Sequence, residues 1–242
     1  MKIYLRLLAA SGALAVVLTP ASARAVGTGD SPVRTADVPT AATLSAEHDY
    51  KDWIAARSGA PRRAGALLSD IPYEYHWTPT HLQERGYWCG PASVQTVDDY
   101  WGATASQTTI AARLGTTTNG TDFSLVDDAL RYYSGKPYVY AGPLASGTEV
   151  LSRIEYGLDV RKNPMIGDFS VPATWPNYVY AHSGHIIPIE AFDWRYGTVR
   201  LNDPYDEADW MSGGGNTGGH KTYAKGLIAS AVYNHWRRAV VY

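Results

Sequence analysis

Gln83-Glu84-Arg85-Gly86-Tyr87-Trp88-Cys89-Gly90-Pro91-Ala92-Ser93 is the stretch on which the reading of this chain turns, because it holds the only cysteine in 242 residues. Downstream of it Val94, Val97 and Trp101 recur at helical spacing, Pro91 suits a first turn where no amide donor is needed, and Gly102 can close the run. The spacing therefore predicts a helix from Cys89 to Trp101 with the cysteine in its first turn. Helix-start amides and the helix dipole favour negative charge at that position, which stabilises a thiolate. The commoner fate of a cysteine is that of a small, inert core residue.

The start of the chain bears on that choice. Met1 to Ala25 has a basic opening (Lys2, Arg6), an apolar stretch from Leu7 to Leu18, and small residues at Pro20-Ala21-Ser22-Ala23, the pattern of a cleavable secretion signal. Cleavage is expected near Ala23 or Ala25. The apolar stretch is shorter than the roughly 20 residues a spanning helix needs, so no membrane partner is expected after its removal. An exported domain that used disulfides would carry paired cysteines, and one cysteine makes no bridge within the chain. An unpaired thiol in an exported protein, set before Gly90-Pro91, tips the balance towards chemistry.

Removing Lys2 and Arg6 from 21 basic residues leaves 19 against 23 acidic ones, a formal charge of −4. No basic run or basic-aromatic stripe appears, which excludes nucleic acid as an expected partner. Val26 to about Thr43 is rich in Ala, Thr, Pro, Gly and Ser, a linker composition. Ser45 to Arg57 is a short candidate helix capped by Ser45, ended by Gly59-Ala60-Pro61. Residues 26–70 thus read as a linker or a removable pro-segment, and 71–242 as one catalytic domain.

Within that domain helices come first: Ser106 to Leu114, Asp122 to Tyr133 and Thr148 to Leu158. Strands follow at Met165 to Phe169, His185 to Phe192 and Thr198 to Asn202, the last two expected to pair across the turn at Arg195-Tyr196-Gly197. A glycine-rich loop from Gly213 to Gly219, a helix from Tyr223 to Asn234 and a terminal strand from Ala239 to Tyr242 complete the pattern. Helices followed by an antiparallel sheet make an α+β domain.

The quoted stretch resembles the nucleophile segment of the bacteriocin-processing peptidases, papain-superfamily enzymes that cleave after double-glycine leaders, and of their stand-alone secreted relatives. Leu114-Gly115-Thr116 through Asn119-Gly120-Thr121-Asp122 is similar to that family's second helical segment, Ser183-Gly184-His185 to its histidine strand, and Leu201-Asn202-Asp203-Pro204 to its aspartate turn. The likeness runs from about Tyr73 to Trp210. It implies a papain-like fold, with a helical part carrying the cysteine packed on a sheet carrying His and Asp. The roles it implies are Cys89 as nucleophile, His185 as general base and acid, Asp203 as its orienter and Gln83 as oxyanion donor. No cofactor or metal is implied, and the expected partner is a peptide or protein substrate; the oligomeric state is left open.

These roles answer a chemical need. Acyl transfer requires a nucleophile next to a base, a third group holding that base in one tautomer, and donors aimed at the developing oxyanion. If the strands carrying His185 and Asp203 pair across the turn near Arg195, an even register places both on one face, opposite or diagonal. Taken singly, His185 in an apolar strand reads as a packed core histidine and Asp203 before Pro204 as a turn former. Trp88, with Tyr87, Gly184 and His182, is assigned to the substrate cleft, His182 as a loop residue at its rim.

Other chemistries fit less well. His182, His185 and Cys89 suggest zinc, but an offset of three on a strand sends the two rings to opposite faces. The acid pairs Asp98-Asp99, Asp127-Asp128 and Asp206-Glu207 suggest a glycosidase, yet adjacent acids mostly decorate solvated faces. The many aromatics are more simply core than a sugar-binding face, and Asn119-Gly120-Thr121 is a turn rather than a glycosylation site. Within the hydrolase reading, a cell-wall peptide amidase or endopeptidase and an acyl transferase share the same triad. The contrasting class is a non-catalytic secreted binding module with a degenerate site.

Overall fold

The computed structural model describes residues 41–59, 73–103 and 105–242. The segment read as a secretion signal, residues 26–40 of the expected linker and residues 60–72 lie outside the described residues.

A helix α1 (Ala41–Gly59) precedes the domain, which opens with β1 (Tyr73–Tyr75). Three helices follow, α2 (Cys89–Tyr100), α3 (Gln107–Leu114) and α4 (Val126–Ser134), then β2 (Tyr140–Ala141) and α5 (Gly147–Glu155), which runs on as a π-helical turn, Tyr156–Val160. The rest is β3 (Met165–Val171), β4 (His182–Asp193), β5 (Thr198–Asp203), α6 (Glu207–Trp210), β6 (Gly219–Ala224), α7 (Lys225–Asn234) and β7 (Val240–Val241). The sheet has the order β2-β7-β3-β4-β5-β6, with β1 pairing the far end of β4, and every pair is antiparallel. The fold is the expected α+β arrangement, with the cysteine helix packed on the sheet.

Alternation along the strands splits the core in two. Ile166, Ile186 and Val241 face α2, α3 and α4, packing with Cys89, Val94, Val97, Ile110, Leu114, Phe123 and Leu130. Met165, Phe169, Ile187, Ile189, Leu201 and Val240 turn the other way, towards Val150, Ile154, Ile228 and Val232 of α5 and α7. Period-two strands buried on both sides read as near-continuous apolar runs, and Ile186-Ile187-Pro188-Ile189 is one.

Several boundaries differ from the sequence reading. The helix expected to begin at Ser45 starts at Ala41, so Thr43 is helical rather than linker. Tyr223 lies within β6 instead of opening a helix; it pairs with Val199, and its buried ring packs on Trp175. Of the glycine-rich loop, Gly219 belongs to β6. The Asp122 to Tyr133 helix begins as a 3-10 turn capped by Asp122, whose carboxylate accepts the Ser124 N–H. Around the candidate sequon, Thr117 and Gly120 exchange backbone hydrogen bonds in a tight turn.

Candidate active site

Cys89 is the first residue of α2, with Ala92 N–H bonded to the Trp88 carbonyl. Pro91 fits the first turn, where it forfeits no helix bond. Gly90 has a packing reason: a β-carbon there would lie 2.7 Å from Thr121 Cβ, so the 116–122 turn closes on the helix start only because a side chain is missing. Helix and sheet are tied at one residue. Ser93 Oγ donates to the Ile186 carbonyl at 2.8 Å, and the Ile186 N–H points at the Cys89 sulfur at 3.4 Å. The sulfur therefore sits against the backbone that carries His185.

His185 Nε2 donates to Asp203 Oδ1 at 2.8 Å, and both side chains are buried. A carboxylate accepts only, so the neutral ring carries its proton on Nε2 and a lone pair on Nδ1. Nδ1 has no hydrogen-bond partner among the described residues. The strands register as Ile189 opposite Leu201, which places Asp203 opposite residue 187 and diagonal to His185. Asp203 Oδ1 also accepts the Tyr205 N–H at 2.8 Å, while Oδ2 accepts the Tyr178 hydroxyl.

Gln83 is buried and placed from two sides. Its backbone N–H donates to the Pro204 carbonyl at 2.8 Å, next to Asp203, and the Gln107 side chain clamps the flanking backbone through Leu82 C=O (2.8 Å) and Glu84 N–H (2.9 Å). Gln83 Nε2 donates one hydrogen to the Arg85 carbonyl at 2.7 Å and has a second to give. Oε1 is buried without a hydrogen-bond partner among the described residues.

The residues assigned to the cleft fare differently. Trp88 is buried under the Arg85 guanidinium, 4.8 Å from its ring, with Tyr87 edge-on and only partly buried. Gly184 is buried within β4. His182, expected in a loop at the rim, is instead the first residue of β4, fully buried and bonded through Nε2 to Glu207 at 2.7 Å. Its ring centroid lies 5.8 Å from that of His185, contrary to the opposite-face expectation. The reason is a bulge: between the paired positions β4 carries two residues, Ser183 and Gly184, where β3 carries one, Ser170, which cancels the alternation.

The acid pairs also need correcting. In each, one member is buried: Asp98, Asp127 and Glu207. Burial pushes Asp98 up to about 8. The same factor raises Asp127, outweighing its Arg131 bonds. Neighbours on a helix differ by about 100° in direction, so a pair at the edge of the apolar stripe puts one acid inside.

The model of the Peptidase_C39 like family matches residues 68–237. The chain belongs to that family. It is a cysteine-type peptidase. No curated protein matches the sequence. Among solved structures it is similar to a double glycine motif protease from an AMS/PCAT transporter in complex with the leader peptide, at 14% identity over 69% of this chain and 91% of that one, TM-score 0.46. It is likewise similar to the peptidase domain of Streptococcus ComA, a bi-functional ABC transporter involved in a quorum sensing pathway, at 14% identity over 69% and 97%, TM-score 0.45. A Bacillus anthracis protein described as a C39-like peptidase matches at 13% identity over 72% and 98%, TM-score 0.47. Of the residues around this C39-like site, sequence reasoning passed over Tyr178, Tyr205, Gln107 and the pairing of Glu207. Only Glu207 carried any signal, as half of an acid pair.

Proposed function

We propose that this C39-like peptidase hydrolyses peptide bonds with Cys89 as nucleophile, His185 as general base and acid, Asp203 as the group orienting His185, and Gln83 with the Cys89 N–H as oxyanion donors. We further propose that it acts outside the cell after loss of its first 23 to 25 residues. The observation that carries the reading is the His185 Nε2–Asp203 bond of 2.8 Å beside a sulfur that accepts the very next backbone N–H, from Ile186, at 3.4 Å.

The chemistry follows from the tautomer. His185 Nδ1 takes the thiol proton, and the thiolate is favoured by the α2 start and the Ile186 N–H. Sulfur attacks the carbonyl carbon, and the electron pair moves onto oxygen. The second hydrogen of Gln83 Nε2 and the Cys89 amide, which points out of the helix start, stabilise that charge, a contribution of about 3 to 4 kcal/mol for one such donor. The imidazolium returns its proton to the leaving nitrogen as the C–N bond breaks, leaving a thioester. Water deprotonated by His185 then releases the acid and restores the thiol. Asp203 keeps the ring from turning over.

A peptide-library digest of wild type beside Cys89→Ala tests this. Cleavage by wild type and none by Cys89→Ala is expected, with Gln83→Ala losing about 100-fold in kcat at unchanged Tm. Cleavage that survives Cys89→Ala would overturn the assignment. N-terminal sequencing of protein recovered outside the cell tests export, a start within the first 20 residues being the contrary result.

A further inference from the structure

Three buried polar side chains beside His185 and Asp203 have no part in the chemistry above: Tyr178, His182 and Glu207. His182 bonds Glu207, Glu207 accepts from the backbone that follows Tyr178, and the Tyr178 hydroxyl bonds Asp203. The Tyr178 hydroxyl donates to Asp203 Oδ2, the oxygen that His185 does not use. Burial first, and then the Asp203 charge, hold the phenol well above its ordinary pKa, so it remains a donor.

Tyr178 belongs to the connection between β3 and β4, and the backbone of that connection is gripped by Glu207. The Val179 and Tyr180 N–H groups donate to Glu207 at 2.8 and 3.1 Å, the His182 ring at 2.7 Å, and the Gly215 N–H at 2.9 Å. Burial pushes the Glu207 carboxyl up, but the Gly215 amide, the His182 ring and the Val179 and Tyr180 amides together hold it below its usual range. It is a carboxylate, and four donors fill it. His182 is held below its ordinary pKa by burial, with His185 the next cause, so it stays neutral and donates from Nε2.

The rings complete the packing. Tyr178 stands edge-on to His182 at 5.5 Å, and Tyr205 lies edge-on to both histidines, at 5.3 and 5.9 Å. Gly215 fits only as glycine, since a β-carbon there would collide with the Asn177 carbonyl. The glycine-rich loop is thus pressed on the connection that carries Tyr178.

We propose that Glu207, with His182, is a positioning brace for the peptidase site: it anchors residues 178–180 so that the Tyr178 hydroxyl fixes Asp203 in the rotamer that holds His185. The inference rests on the roles given to His185 and Asp203 above. Because Glu207 acts through Tyr178, the two should not contribute independently.

The test is a double-mutant cycle of Tyr178→Phe and Glu207→Gln, each close to isosteric. Each single variant is expected to lose roughly 10- to 100-fold in kcat with little change in KM, and the double variant no more than the worse single. Independent, multiplied losses would overturn the brace, as would losses that follow Tm alone. The His185 Nε2 proton in NMR gives a readout that needs no turnover: both variants should shift or broaden it. An unmoved resonance in Tyr178→Phe overturns the proposal even where Glu207→Gln fails to fold. An inactive wild type whose His185 proton still responds would count against the peptidase roles and not the brace.

Discussion

Asp98 sets a cost one residue wide. It lies within α2, 1% exposed, with no hydrogen-bond partner among the described residues on either carboxyl oxygen, and burial raises its pKa from 3.8 to about 8. In the unfolded chain it ionises near 3.8, whereas the folded protein keeps the proton until about pH 8. The unfolded state therefore binds fewer protons in between, and stability is present in full below the lower value and lost as pH rises through the upper one, by up to about 1.4 kcal/mol per unit. Asp98→Asn is expected to flatten this slope, read as Tm across that pH span. A slope unchanged by the substitution would show that another group sets it. The sequence showed Asp98-Asp99 as a pair of acids; which one pointed inward depended on where α3 and α4 came to rest.

At the scale of the element, α1 is held to the domain by both packing and charge. Tyr50 and Trp53 meet Tyr156 at 5.4 and 5.3 Å, Glu47 pairs with Arg153 at 2.7 Å, and Arg57 pairs with Glu155 at 3.0 Å. The Glu155 side chain is fully buried, and the Trp194 indole N–H also donates to it. Arg57→Ala is expected to cost about 2 kcal/mol in urea unfolding, since it takes the cation from a buried carboxylate. Glu155→Gln in that background should recover part of the loss; no recovery would mean that Arg57 acts by packing on Trp53, over which it lies at 4.4 Å. A cut at residue 70 would strip Tyr156 and Glu155 of these partners. Periodicity found this helix but placed its start four residues late, because Thr43 and Leu44 in a Thr-Pro-Ala-rich stretch look like linker until Ala46 and Tyr50 are seen buried.

For the whole molecule, the described site is closed. Cys89 and His185 are both 0% exposed. Two segments meet at the site: residues 83–88, running into α2, and the turn around α6, where Trp210 lies 3.5 Å from the place a Gly86 side chain would occupy and stacks on Tyr205 at 6.4 Å. On the roles proposed above, substrate must part such segments to reach the sulfur. Trp210→Ala is accordingly expected to speed Cys89 alkylation by iodoacetamide several-fold, followed by mass spectrometry; an unchanged rate would place the gate elsewhere.

The sequence by itself determined the helix that begins at Cys89, the antiparallel strands that follow, and the family, because these rest on local periodicity, turn residues and a contiguous motif. Tertiary structure alone decided that the β4 bulge brings His182 beside His185, that Glu207 is buried and filled with donors, and that Tyr178 reaches Asp203. The Tyr178–Asp203 and His182–Glu207 bonds each join residues 25 positions apart. Their partners are chosen by strand register and by the space left between packed segments, which no short window of residues encodes.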